Sequence, residues 1–252
     1  MEAAARAPAT LIGSVQRALR LLEATSRAPG GAAAKQLARS AGIPIGTTYH
    51  LLRTLTFEGY VRRLGDGSYV VGDEIAKLLD QGRLQALLQR SRPALTALRD
   101  TVDAAAYLAL YERGEVVVKD IQDSPRAPRI DLWVGFREAA HATALGRCVL
   151  AFLPPAELRG YLARHPLIEL TPRTVTTRAG LERALEAVRA ERLAVEDEEY
   201  LPGTACLAAP VLVGGLVGAV AVSFRRGRLV ETGAMVPHLR GAADRIARSW
   251  AR

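Results

Sequence analysis

Along the first sixty residues the apolar positions recur every three to four places, and a short stretch of alternation follows. In "SVQRALRLLEAT", residues 14–25, Val15, Ala18, Leu19 and Leu22 stand at i, i+3, i+4 and i+7. That spacing predicts an amphipathic helix with those four side chains on its core face and Ser14 as its N-cap. After the turn "APGG", the run "AAAKQLARSAG" predicts a short second helix stopped by Gly42, and Pro44 stands where a third would begin. In that third run Thr48, Leu51, Leu52 and Leu55 share one face. At about 100° per residue the opposite face carries Gly46, His50, Arg53, Thr54 and Phe57, with Thr47 and Tyr49 on its flanks. Gly59 ends the run, and "YVRRL" and "SYVVG" alternate on either side of Gly65-Asp66-Gly67, which predicts a hairpin with a basic first strand.

From Asp73 the helical period returns with Ile75, Leu78 and Leu79, then with Leu84, Leu87, Leu88, Leu95 and Leu98. This reads as a linker helix over 73–81 and a longer helix opening a second domain, with Pro93 as a break. "AAYLALYERGEVVVKDIQD" predicts a strand, a turn at Arg113-Gly114 and a second strand. "RIDLWVGF" predicts another strand, and "TALGRCVLAFL" a helix starting near His141 or Thr143. "PAELRGYLARH", "AGLERALEAVRAERL" and "MVPHLRGAADRIARSW" predict three further helices. Leu201 to Phe224 holds no charged residue and is long enough to cross a membrane. Pro202, Gly203, Pro210 and Gly218 interrupt it, however, and Gly214-Gly215 is a two-residue turn signal, so two buried strands are expected and no membrane span. The mixture predicts an α+β chain: an unstructured terminus over 1–11, a helical unit with a hairpin over 12–72, the linker over 73–81, and over 82–252 an antiparallel sheet flanked by helices.

Charge adds a partner to this outline. The formal net charge is +8, and residues 1–72 hold 9 Lys+Arg against 4 Asp+Glu, a net +5 in under a third of the chain. Only Lys35, Lys77 and Lys119 are lysines, so the arginine count partly reflects a general compositional bias, and the position of the charge carries more information than its sum. Three short helices followed by a hairpin are the parts of a winged helix-turn-helix, whose third helix can enter the major groove of double-stranded DNA while the wing meets the backbone. The candidate contacts are Thr47, Thr48, Tyr49, His50 and Arg53 on the helix and Arg62 and Arg63 on the wing. A trihelical unit of this kind can also be a protein-binding module; the concentration of positive charge favours DNA.

The blocks "SVQRALRLLEAT", "KQLARSAGIPIGTTYHLLRTLTFEGYVRR", "GSYVVG", "HATALGRCVLAFL" and "GTACLAAPVLVGGLVGAVAVSF" stand in the order found in IclR-type bacterial transcriptional regulators, which the chain resembles over roughly residues 12 to 250. The resemblance implies an N-terminal winged helix-turn-helix, a linker helix, a C-terminal effector-binding domain of GAF-like fold, and assembly as dimers or tetramers in the cytoplasm. It also implies an effector at the start of the "HATALGR" helix, near Ala144, Leu145 and Gly146, opposite an acidic residue and a cysteine that match Glu196 and Cys206. Ile130, Leu132 and Trp133 supply apolar walls of the kind a ligand pocket needs. Where the family usually carries an Arg before the paired leucines this chain has His50, where it usually has Asp this chain has Glu196, and Ala139-Ala140 replace a bulkier pair. These departures imply a different operator preference and a pocket of different size.

Each feature has a plainer reading beside it. Helix starts are usually only capped, Cys206 can be a small buried hydrophobe, and "EDEEY" over 196–200 can be a solvated charged loop. A cysteine nucleophile would need a histidine and an orienting group, and neither His141 nor His238 is tied to Cys206 by any local motif. The histidines and the two cysteines, Cys148 and Cys206, lack zinc spacing, and no phosphate-binding glycine loop follows a strand, so no metal, cofactor or catalysis is expected. Two cysteines build no disulfide framework, which fits a reducing compartment. The remaining alternatives are a ligand-sensing scaffold without DNA binding and, more remotely, a cysteine hydrolase.

Overall fold

A computed structural model of the chain describes residues 10–129 and 139–251. The strand expected over 129–136, including the candidate pocket residues Ile130, Leu132 and Trp133, lies outside the described residues, as does nearly all of the segment expected to be unstructured. The chain divides into two compact units, residues 1–84 and 85–252.

The first unit comprises α1 (Gly13–Ser26), α2 (Ala34–Ala41), α3 (Ile45–Phe57), the wing strands β1 (Val61–Arg63) and β2 (Tyr69–Val71), and the opening of α4 (Asp73–Val102). Leu21, Leu37, Ile43, Leu52, Val61 and Tyr69 meet in its core. α2 ends where Gly42 turns left-handed with φ 64°, and α3 starts behind Pro44. The wing pairs Val61 with Val71 and Arg63 with Tyr69, and its tip is tied by the Asp66 carboxylate, which accepts from the Ser68 N–H at 2.9 Å and from its hydroxyl at 2.6 Å.

α1 differs from its expected orientation. Leu21, Ala24 and Thr25 are its buried residues, while Val15 and Leu19, expected in the core, are exposed by 52% and 56%. The helix carries apolar residues on more than one face, and periodicity alone does not say which face the neighbours cover. Ser14 lies inside the helix rather than capping it; Ile12 is at the N-cap and provides no side-chain bond.

α4 is a single helix where two were expected, with Pro93 inside it. Proline removes the N–H that would reach the Gln89 carbonyl, but Gln89 is exposed, so water can take that bond. Ala94, Leu95 and Leu98 are buried, and the Trp250 indole donates to the Leu87 carbonyl at 3.1 Å and to the Ser91 hydroxyl at 2.9 Å.

The second unit is an antiparallel sheet in the order β4-β3-β7-β6-β5, formed by β3 (Ala105–Glu112), β4 (Glu115–Gln122), β5 (Ala194–Asp197), β6 (Thr204–Val213) and β7 (Leu216–Arg225). Its hairpins turn at Arg113-Gly114 and at Gly214-Gly215, where both residues of each pair have positive φ, as a tight two-residue turn requires. The uncharged stretch over 201–224 is therefore mostly the β6–β7 hairpin, and no described helix is long and apolar enough to cross a membrane. One face of the sheet, built from Ala105, Tyr107, Ala109, Ala194, Ala208, Ala219 and Ala221, packs against α5 (Ala144–Ala151), α6 (Pro155–Arg164) and α7 (Arg178–Glu191). The small side chains let α5 approach closely, and all eight of its residues are buried. Alternate strand residues, among them Leu108, Leu207, Val220 and Val222, are buried toward the opposite face, and α8 (Thr232–Trp250) buries Leu239, Ala242, Ala243 and Ile246.

Candidate functional site

On α3 the exposed residues are Ile45, Gly46, Tyr49, His50, Arg53, Thr54, Thr56 and Phe57, with Thr47 half-buried. Thr48 is corrected: it is fully buried and its hydroxyl donates to the Pro44 carbonyl at 3.1 Å, so it holds the first turn of α3 and does not reach outward. That placement follows from the same spacing that puts Leu52 in the core. The Thr54 hydroxyl is turned back onto the His50 carbonyl at 3.2 Å. Arg62 and Arg63 project from β1, whose burial runs buried, exposed, exposed, and the Arg63 guanidinium lies 5.9 Å from the Tyr69 ring centre. The first unit thus presents an exposed polar helix face with a histidine and an arginine, and a wing strand with two exposed arginines.

In the second unit Ala144, Leu145 and Gly146 form the first turn of α5, and Glu196 and Cys206 lie on the sheet face that α5 covers. Thr143 caps the helix by accepting from the Gly146 N–H at 2.9 Å, and the Arg147 N–H reaches the Thr143 carbonyl at 3.0 Å. The N–H groups of Ala144 and Leu145, both buried residues, have no acceptor among the described residues. Gly146 is required by packing: a Cβ there would stand 2.3 Å from the Ala140 carbonyl oxygen.

On the sheet face that α5 covers, one row runs over four strands: Ala105 on β3, Ser223 on β7, Cys206 on β6 and Glu196 on β5 are successive cross-strand neighbours. Glu196 is fully buried within a strand, so the reading of 196–200 as a solvated loop fails at its first residue. Its Oε1 accepts from the Glu199 N–H at 2.6 Å and the Tyr200 N–H at 3.1 Å, while Oε2 is buried with no hydrogen-bond partner. Burial pushes the Glu196 carboxyl above the ordinary range, against the pull of those two N–H bonds and of the neighbouring Cys206 thiol. Burial, with the neighbouring Glu196, also pushes the Cys206 thiol well up, so it is held as a thiol and not as a nucleophilic thiolate.

Two polar residues of this face escaped the sequence reading. The Ser223 hydroxyl donates to the Tyr107 hydroxyl at 3.0 Å, both side chains being buried. Within "AVAVSF" and "AAYLALY" nothing but strand alternation distinguishes them. The Arg147–Glu199 pair was also missed: both terminal nitrogens of the buried guanidinium bond the Glu199 carboxylate, and its Nε donates to the His141 carbonyl at 2.6 Å. The residues are 52 apart in sequence and meet only through the fold. Among the described residues no group of three His, Cys, Asp or Glu side chains could hold a metal ion.

Two family models match the chain: the bacterial transcriptional regulator IclR C-terminal domain over residues 83–248 and the IclR helix-turn-helix domain over residues 14–65. The glycerol operon regulatory protein of Streptomyces griseus is 34% identical over 252 residues, covering 94% of this chain and 96% of its own. The transcriptional repressor IclR of Escherichia coli is 30% identical, covering 82% of this chain and 77% of its own. Among solved structures, a transcriptional regulator from Rhodococcus sp. RHA1 has a TM-score of 0.60 at 28% identity, covering 96% of this chain and 98% of its own.

Proposed function

Because the chain belongs to the IclR family of bacterial transcriptional regulators, we propose that α3 and the wing read its operator and that a small carboxylate or aromatic effector, bound at the start of α5, controls that reading. The chain is a DNA-binding regulator with a C-terminal ligand-binding domain. Thr47, Tyr49, His50 and Arg53 take the base edges, and Arg62 and Arg63 hold phosphates. The exposure of Tyr49, His50 and Arg53 on one helix face, with Thr47 half-buried beside them, and of Arg62 and Arg63 on one wing strand supports this division. His50 offers one ring nitrogen to a base where an arginine would offer a bidentate fork to guanine, which sets the operator apart from one read by arginine.

The effector reading rests on one observation above the others: Glu196 Oε2 is buried without a hydrogen-bond partner on the sheet face that α5 covers, and at the start of that helix the Ala144 and Leu145 N–H groups have no acceptor among the described residues. Unpaired helix-start N–H groups suit a carboxylate, and the alanine-rich sheet face suits an apolar or aromatic body. Cys206, Ser223 and Tyr107 complete the floor. The regulator acts in the cytoplasm as a homodimer or homotetramer; the exposed apolar stripe of Leu11, Ile12, Val15 and Leu19, with Leu78 and Leu79, supports a protein-covered surface.

The test is a thermal-shift screen of the full chain against benzoate, 4-hydroxybenzoate, succinate and 2-hydroxypropanoate and their amides. An acid present at about a hundred times its Kd stabilises by about 2.7 kcal/mol. The expected result is a rise in Tm with at least one acid and none with its amide; a rise with amides alone overturns the carboxylate reading.

A further inference from the structure

Among the described residues, the titratable groups around Glu196 supply no counter-ion. On β6 stands the Cys206 thiol, and on β3 the Tyr107 hydroxyl meets Ser223. In the segment after β5 the Glu199 carboxylate is committed to Arg147, and the Tyr200 backbone donates to Glu196 Oε1. On α5 every nitrogen of the Arg147 guanidinium is engaged by Glu199 or the His141 carbonyl, and the His141 Nε2 lies 3.0 Å from the Ile168 carbonyl. Asp197 and Glu198, next along the chain, are bound by Arg173 and Arg226 at a half-exposed site. An ionised Glu196 would therefore be a buried charge with two N–H donors, the weak Cys206 S–H donor and, among the described residues, no cation, and a second carboxylate arriving nearby would raise its cost further. The upward displacement of its titration by burial agrees with this geometry.

We propose that the effector enters together with a proton: Glu196 takes one from solvent onto Oε2 and, as a neutral carboxylic acid, donates that O–H to the effector whose carboxylate the α5 start receives. The proposal rests on the carboxylate reading above and adds its regulation: effector affinity falls as pH rises. The proton taken up is the only group transferred, and it returns to solvent when the effector leaves.

Two measurements on the full chain test it, using whichever acid of the panel gives the largest thermal shift. The first is the Kd from about pH 5 to 9, for wild type and Glu196→Gln. A required proton makes Kd rise toward about tenfold per pH unit above the titration of Glu196. Glutamine carries a permanent N–H donor in the place of the acid O–H, so the variant is expected to bind with little dependence on pH. The second is calorimetry of wild type in buffers of different ionisation heat at a pH where affinity is falling, which reads proton uptake without a substitution. Uptake approaching one proton per effector is expected. Proton release, no uptake, or a pH dependence that persists in Glu196→Gln overturns the proton linkage while leaving the carboxylate reading intact. Failure of every acid to bind at any pH overturns that reading and the linkage with it.

Discussion

A methyl group added to Gly146 would stand 2.3 Å from the Ala140 carbonyl oxygen and 2.5 Å from the Ala140 Cα and Cβ, all parts of a buried turn that cannot swing aside. Gly146→Ala therefore displaces the start of α5 and costs about 1–3 kcal/mol as an overpacked core. Chemical denaturation should show that loss, and the Tm response to the effector should fall with it. The sign for Glu196 is opposite to that of an ordinary ion-paired carboxylate. Its folded-state pKa is raised, so the folded chain binds the proton more tightly than the unfolded one, and stability falls as pH climbs from the usual carboxyl pKa through the raised value. Glu196→Gln should flatten that decline in a plot of denaturation free energy against pH; an unchanged slope would mean the carboxyl is ionised in the fold. The residue types for these roles stand plainly in the sequence. The burial that makes Glu196 unusual does not, because "EDEEY" has the composition of a solvated loop.

At the scale of elements, the helices of the first unit, the wing and both glycine-turn hairpins are legible in the sequence, since each carries its period and its stop signal locally: Gly42 after α2, Gly59 after α3, Gly214-Gly215 between β6 and β7. The four-residue strand β5 is not, as Ala194–Asp197 is too short to establish alternation. α4 reads locally as a linker helix over 73–81 and a second helix broken at Pro93, whereas the burial of Leu95 and Leu98 beyond that proline is a tertiary effect. The wing has its own prediction. Arg62 and Arg63 are both exposed on β1, so Arg62→Ala with Arg63→Ala should weaken binding to specific and non-specific duplexes alike. The slope of log K against log salt should become shallower by about 2, since each phosphate that is no longer neutralised removes about 1. A retardation series at several salt concentrations would read it; an unchanged slope means that the wing does not hold phosphates.

For the whole molecule, an effector can shift DNA affinity only by as much as its own affinity differs between the DNA-bound and free forms. Whatever factor a panel acid applies to operator binding, operator DNA should apply to the acid's Kd, within the error of two titrations. A mismatch beyond that error would mean that the two ligands are not linked through one equilibrium, and retardation with a parallel fluorescence titration would detect it. The sequence by itself determined the helices and wing of the first unit, the two glycine-turn hairpins, the division of charge toward residues 1–72 and the α+β class, because hydrophobic period, glycine and proline act over a few residues. Only the tertiary structure decided which stripe of α1 is covered and that Glu196, Cys206 and Ser223 form one row beneath α5 beside the Arg147–Glu199 pair. Those facts depend on strand register and on the meeting of residues far apart in the chain, which no local pattern encodes.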